Sequence, residues 1–154
     1  MINQNLLEAA ANWWVEQVTG AKLNWDNGAW KEGTAADREI GMKMFMLGNS
    51  TALSARRGIT PEKVTIFRDT LMEGIRNRFA QSEKRYEQYP NEERYTYVTL
   101  SVDYHPGELL REAADKAGID DFAFPCKSVM WIDDKKVEAK CGYGADSKII
   151  ASVE

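Results

Sequence analysis

Asp103 and His105 stand two residues apart where a strand pattern ends, a spacing at which a carboxylate can orient an imidazole as general base for hydrolysis. His105 is the only histidine in 154 residues, so any Ser-His-Asp or Cys-His chemistry depends on it. The same residues also suit an ordinary turn before Pro106, and that is the preferred reading. Cys126, Cys141 and His105 supply three soft ligands, one fewer than a tetrahedral zinc site needs, so no metal and no other cofactor is expected. Asp133-Asp134 has the look of a carboxylate pair for metal-assisted hydrolysis. Neighbouring strand residues point to opposite faces, however, so a solvated turn explains the pair better. Glu92-Glu93 and Asp120-Asp121 read the same way.

The densest supply of cations is Arg56, Arg57, Arg68, Arg76, Arg78, Lys84, Arg85 and Arg94. Arginine forks beside aromatic faces suit phosphates and stacked bases. Arg76, Arg85, Arg94 and Tyr97 are therefore candidates for holding a nucleotide. Acidic residues are interleaved, and residues 58–94 carry seven basic and seven acidic side chains, which favours a solvated helix face. Trp25, Trp30, Tyr95 and Tyr97 are candidate contacts for a protein partner, because rigid aromatics anchor interfaces. Gly142-Tyr-Gly144 is too short for a phosphate loop and reads as a positive-φ bend.

Helices and strands must position these residues. Leu7, Ala10, Ala11, Trp14 and Val18 recur at helical spacing over Asn5 to Val18, and Gly20 supplies a stop. Trp13 lies about 100° from Trp14 around that helix, so the two rings face different surroundings. Trp25-Asp-Asn-Gly28 resembles a tight turn within a polar connection. A second helix starts at Thr34, with Ile40, Met44 and Leu47 as its apolar stripe, and Gly48-Asn-Ser ends it or interrupts it before a further turn through Leu53. A third starts at Thr60-Pro61-Glu62, a cap followed by Pro at the first helical position. Val64, Phe67, Leu71, Ile75 and Phe79 form its stripe, Arg68 falls on the opposite face, and fraying is expected over Gln81 to Gln88.

The period then changes to two. Over Arg94 to Tyr104, one face holds Val98, Leu100, Val102 and Tyr104, and the other Tyr95, Tyr97, Thr99, Ser101 and Asp103. A short helix with Leu109, Leu110, Ala113, Ala114 and Ala117 follows and stops at Gly118. A hairpin ends the pattern, with strands near Ser128–Ile132 and Val137–Gly142. A turn between Asp134 and Lys135 pairs Cys141 with Ser128 and Cys126 with Tyr143, which makes the cysteines diagonal neighbours. Two buried, reduced thiols are expected. The order ααα-β-α-ββ predicts an α+β domain over residues 1–154, with three N-terminal helices packed on a small antiparallel three-stranded sheet. Its strand edges leave pairing with a second copy open.

Composition fits a globular chain with 44% hydrophobic residues. The net charge is −4, and the last third carries all of the excess: residues 95–154 hold seven basic and eleven acidic side chains, 7 − 11 = −4. Generic nucleic-acid binding is disfavoured by that balance. No apolar run reaches the roughly 20 residues of a membrane span, and no secretory signal is visible, so no membrane partner and a cytoplasmic address are expected.

Phe124-Pro-Cys-Lys-Ser-Val-Met-Trp-Ile-Asp-Asp-Lys-Lys-Val-Glu-Ala-Lys-Cys-Gly-Tyr-Gly-Ala145 resembles small uncharacterised proteins encoded by phages and prophages of gut Firmicutes. Leu109 to Ile119 and the Trp13-Trp14 helix add to the resemblance. It implies an accessory protein acting inside a bacterial host, with a host or defence-system protein as partner. The function expected is a non-enzymatic binding protein that inhibits antiviral defence, in the manner of an anti-CRISPR, by occluding a host surface. A sponge for a cyclic nucleotide signal is the second expectation, and a small hydrolase using Asp103 and His105 the third.

Overall fold

Asn3 begins the first helix by accepting the backbone N–H of Asn5 through its side chain, at 2.8 Å, and Gly20 ends it in the left-handed conformation at φ 70°. The computed structural model describes residues 2–20, 24–26, 29–31, 55–56, 58–90, 98–125, 127–142 and 144–154. Helix α1 spans Gln4–Thr19 and buries Leu6, Leu7, Ala10, Ala11, Trp14, Val15 and Val18. Trp14 is fully buried, while Trp13 is half-buried and meets it edge-on with ring centroids 4.8 Å apart.

Strands β1 (Asn24–Asp26) and β2 (Ala29–Lys31) pair antiparallel, with Trp25 opposite Trp30, inside the segment expected to be a plain connection. Their side chains, and the second helix expected from Thr34, lie outside the described residues. Helix α2, the third helix of the sequence reading, spans Pro61–Gln88. Thr60 accepts the Lys63 N–H, and Val64, Phe67, Leu71, Ile75 and Phe79 are buried as their spacing predicts. The helix does not fray after Phe79. Gln, Glu, Lys and Arg in its last turns are good helix formers, and Arg85 there favours the negative end of the helix dipole.

Arg68 does not lie on the outer face of α2. It is 8% exposed and donates from Nε to Asn12 Oδ1 at 2.8 Å, with Glu8 4.0 Å and Asp69 3.7 Å from its guanidinium. A polar clamp thus joins α1 to α2 beside their apolar contact.

Strand β3 (Val98–Val102) buries Val98, Leu100 and Val102, as the alternation predicts. Tyr104 was expected on the same buried face and is 73% exposed. The strand ends two residues before it, because the chain bends at 103–105 so that Pro106 bridges back to Val102 and the Gly107 N–H reaches Ser101 O at 2.8 Å. Helix α3 (Glu108–Ala117) lays Leu110, Ala113, Ala114 and Ala117 against the core and ends at Gly118. A side chain on Gly74 of α2 would sit 3.1 Å from Leu109, so α2 and α3 approach closely there.

A short 3₁₀ turn at Asp121–Ala123 brings Phe124 between Trp14 and Phe67, with ring centroids 6.2 and 5.9 Å away. Strands β4 (Ser128–Ile132) and β5 (Lys136–Cys141) form the expected hairpin, and Ser128 pairs with Cys141 in the expected register. Asp133 Oδ1 closes the turn by accepting the N–H groups of Lys135 and Lys136, each at 2.7 Å.

A further strand, β6 (Lys148–Ser152), pairs with β5. The fold is α+β, and its main sheet is four-stranded and antiparallel in the order β3-β4-β5-β6, where three strands were expected. Among the described residues no helix is long and apolar enough to cross a membrane.

Truncating Arg68 strands Asn12, whereas methionine keeps the packing of its stem. We expect Arg68→Ala to cost about 2 kcal/mol and Arg68→Met clearly less, read from urea unfolding midpoints. Equal costs would show that the polar clamp contributes nothing specific.

Candidate functional site

The ladder sorts the sheet's side chains into two sets. Val98, Leu100, Val102, Met130, Ile132, Val137 and Ala139 join the helices in one core cluster. The other set forms two rows across the strands. Thr99 stands opposite Trp131, which stands opposite Glu138, which stands opposite Ile149. Ser101, Val129 and Lys140 form the second row. None of these seven belongs to the core cluster. Trp131 and Val129 are half-buried, and Ile149 is 60% exposed. A large indole at the middle of a sheet face outside the core is the arrangement of an interface anchor.

Two cavities lie on this face. Thr99, Trp131, Asp133, Lys136 and Glu138 line one of about 430 Å³. Ser101, Lys127, Val129, Lys140 and Gly144 are among the residues lining the other, of about 550 Å³. Lys127 adopts φ 59°, in the left-handed region that costs a side chain roughly 1 kcal/mol or more. Its ammonium pairs with the Asp103 carboxylate and lies 4.7 Å from the centre of the Tyr104 ring.

The third cavity, of about 530 Å³, runs along the outer edge of β3. Its floor is Val98 to Ser101. One wall is the last turns of α2, with Arg78, Gln81, Ser82 and Arg85, and the other is the first turn of α3 from Gly107 to Leu110. Arg78 bonds Glu108 across it at 2.7 Å. Thr99 and Ser101 border both the groove and the open face, so the surfaces meet along β3.

The sequence candidates fall as follows. Arg85 lines the groove, and Arg76 is exposed on α2. Arg94, Tyr95 and Tyr97, and the side chains of Trp25 and Trp30, lie outside the described residues. Asp103 and His105 are both exposed, and Asp103 pairs with Lys127. Among the described residues no nucleophile–imidazole–carboxylate chain forms around His105. No group of three His, Cys, Asp or Glu among them could hold a metal. Trp131 was missed as a contact, although the alternation of Ser128–Ile132 places it opposite the buried Met130 set.

Arg56, counted in the dense basic supply, is half-buried and directs its guanidinium into the fold. It donates to Ala123 O at 3.0 and 2.9 Å and to Gln17 O, so it ties the end of α1 to the 3₁₀ turn. Burial pulls its pKa down to about 9, the Cys141 sulfur opposing the shift, so it stays charged at neutral pH. Cys141 was expected to be buried. It is exposed, because it ends β5 beyond the core, and its sulfur accepts the Ser128 hydroxyl at 3.5 Å. Cys126 lies outside the described residues.

Compared with known proteins, the chain matches no family model and no curated protein.

A guanidinium that serves two carbonyls is not replaced by a single ammonium. Arg56→Lys is expected to lower stability by about 1–3 kcal/mol in chemical denaturation. An unchanged midpoint would show that these carbonyls do not depend on it.

Proposed function

We propose that this chain is a binding protein that covers a surface on a host protein, as an inhibitor of bacterial antiviral defence acting in the host cytoplasm. The observation that carries this reading is the group of Trp131, Val129 and Ile149, spread over two rows of a sheet face outside the core and continuous with the β3 groove. Aromatic and aliphatic side chains at the centre, rimmed by Lys136, Glu138 and Lys140, match the composition of protein interfaces. The resemblance of the β4–β5 hairpin to small phage proteins supplies the cellular setting. Trp25, Trp30, Tyr95 and Tyr97 stay as further candidate contacts.

A second reading has one observation in its favour. Arg85 shares the groove with Arg78, and two guanidinium groups on one wall suit a phosphate-bearing ligand such as a cyclic nucleotide.

Capture from lysate of phage-infected cells tests the first reading through its dependence on the open face. Trp131→Ala is expected to weaken capture of the partner at least tenfold while the unfolding transition stays cooperative. Ile149→Glu, at a more exposed position, should do the same with little change in thermal midpoint. Undiminished capture by both variants would remove the open face from the reading. A rise in thermal midpoint with a cyclic nucleotide, lost in Arg85→Ala, would favour the second reading instead.

A further inference from the structure

We infer that a second copy of this chain caps the open sheet face, related to the first by a twofold axis that runs across the strands between the two outward rows. The second copy takes the face that the docking reading gives to a host protein, so the two compete for it.

The register supplies the pattern. Trp131 and Glu138 stand side by side on β4 and β5 in one row, and Val129 and Lys140 stand side by side on the same strands in the next. A twofold interface uses the same patch on both copies, so every contact occurs twice with its members exchanged. Two sheets that pack face to face lie about 10 Å apart, with strand directions within about 30°. An axis between them that runs across the strands, set between the rows, lays each row over the partner's other row. Trp131 then covers the partner's Val129, Glu138 faces the partner's Lys140, and Thr99 faces the partner's Ser101. An axis along the strands, between β4 and β5, would instead put Trp131 over the partner's Glu138 and Val129 over the partner's Lys140, apolar groups against charges. Four side chains thus select one orientation of the second copy.

The surface around these residues suits that packing. Trp131 and Val129 are half-buried and Ile149 is 60% exposed, so the face has an apolar middle with Glu138 and Lys140 beside it. Trp131 and Glu138 line one cavity, and Val129 and Lys140 the other. The axis passes between the cavities and lays each over the partner's other one. Among the described residues Lys140 forms no ion pair. Glu138 meets the Lys136 ammonium only at 3.9 Å, with side chains 30% and 47% exposed, and such a surface pair holds its members weakly. Facing the partner's Lys140, the Glu138 carboxylate gains a cation in a site that the apposed sheets partly shield from water.

The test is sedimentation equilibrium of the whole chain over a range of concentrations. The native chain is expected to dimerise. Glu138→Lys sets two ammonium groups against each other at both contacts, and Lys140→Glu sets two carboxylates. Each variant alone should dimerise at least tenfold more weakly. Mixed in equal amounts, the two variants meet as opposite charges at both contacts, and a heterodimer about as tight as the native dimer should form. The double variant Glu138→Lys with Lys140→Glu should likewise recover the dimer. Both side chains lie outside the core cluster, and if a single variant fails to unfold cooperatively the double variant carries the test. A native chain that stays monomeric at millimolar concentration would overturn the inference. So would single variants that dimerise like the native chain, or a mixture that associates no better than its components. Partner capture that depends on Trp131, by a chain that is monomeric throughout, would sink the second copy and leave the docking reading standing. A charge-dependent dimer that captures no partner would do the reverse.

Discussion

The constraint on which this structure depends is that its sheet is buried from one side. Val98, Leu100 and Val102 face the helices with Met130, Ile132, Val137 and Ala139 opposite or beside them, and the strand period of two sends every intervening residue the other way. A slip of one residue in the β3–β4 register would turn Thr99 and Ser101 into the core and Leu100 out of it. The same alternation that secures the core therefore fixes Trp131, Val129 and Ile149 on the far face. The proposed binding surface is thus a consequence of how the core is made.

Helix α2 extends that logic to the edge. Its first two thirds are a core element, ending near Phe79, and its later turns carry Arg78, Gln81, Ser82 and Arg85 along β3. Arg68, buried, and Arg56, half-buried, hold the helical layer in place. Arg68 links α2 to Asn12 and Glu8 of α1, and Arg56 links the end of α1 to the turn that delivers Phe124. Buried charges are tolerated here because each meets a cluster of acceptors. Trp14 carries the converse cost, since its buried indole N–H has no hydrogen-bond partner among the described residues.

Much of the fold was legible in the sequence wherever one periodicity ran uninterrupted. The stripe of α2, the alternation of β3, the glycine stops of α1 and α3 and the Ser128–Cys141 register all followed from local rules. Strand β6 was missed because Ile149 and Ile150 form only a short apolar run after a polar bend, and a strand paired along one edge needs no strong pattern of its own. Arg68 was read onto the outer face of its helix, and Arg56 only into the basic supply. Their burial depends on acceptors 56 and 67 residues away in the chain, which no local window contains. Exposure of Cys141 and Tyr104 likewise reflects where strands end relative to the core. The groove was half legible: Arg85 was singled out, but its wall of α3 and its floor of β3 come together only in three dimensions.

Amide hydrogen exchange of β3 in the free chain, followed residue by residue, tests the central claim most directly. The β3–β4 register predicts slow exchange at Leu100, whose N–H points towards β4, and faster exchange at Thr99, whose N–H no other described residue bonds. Faster exchange at Leu100 than at Thr99 would contradict that register, and with it the burial of one face of the sheet.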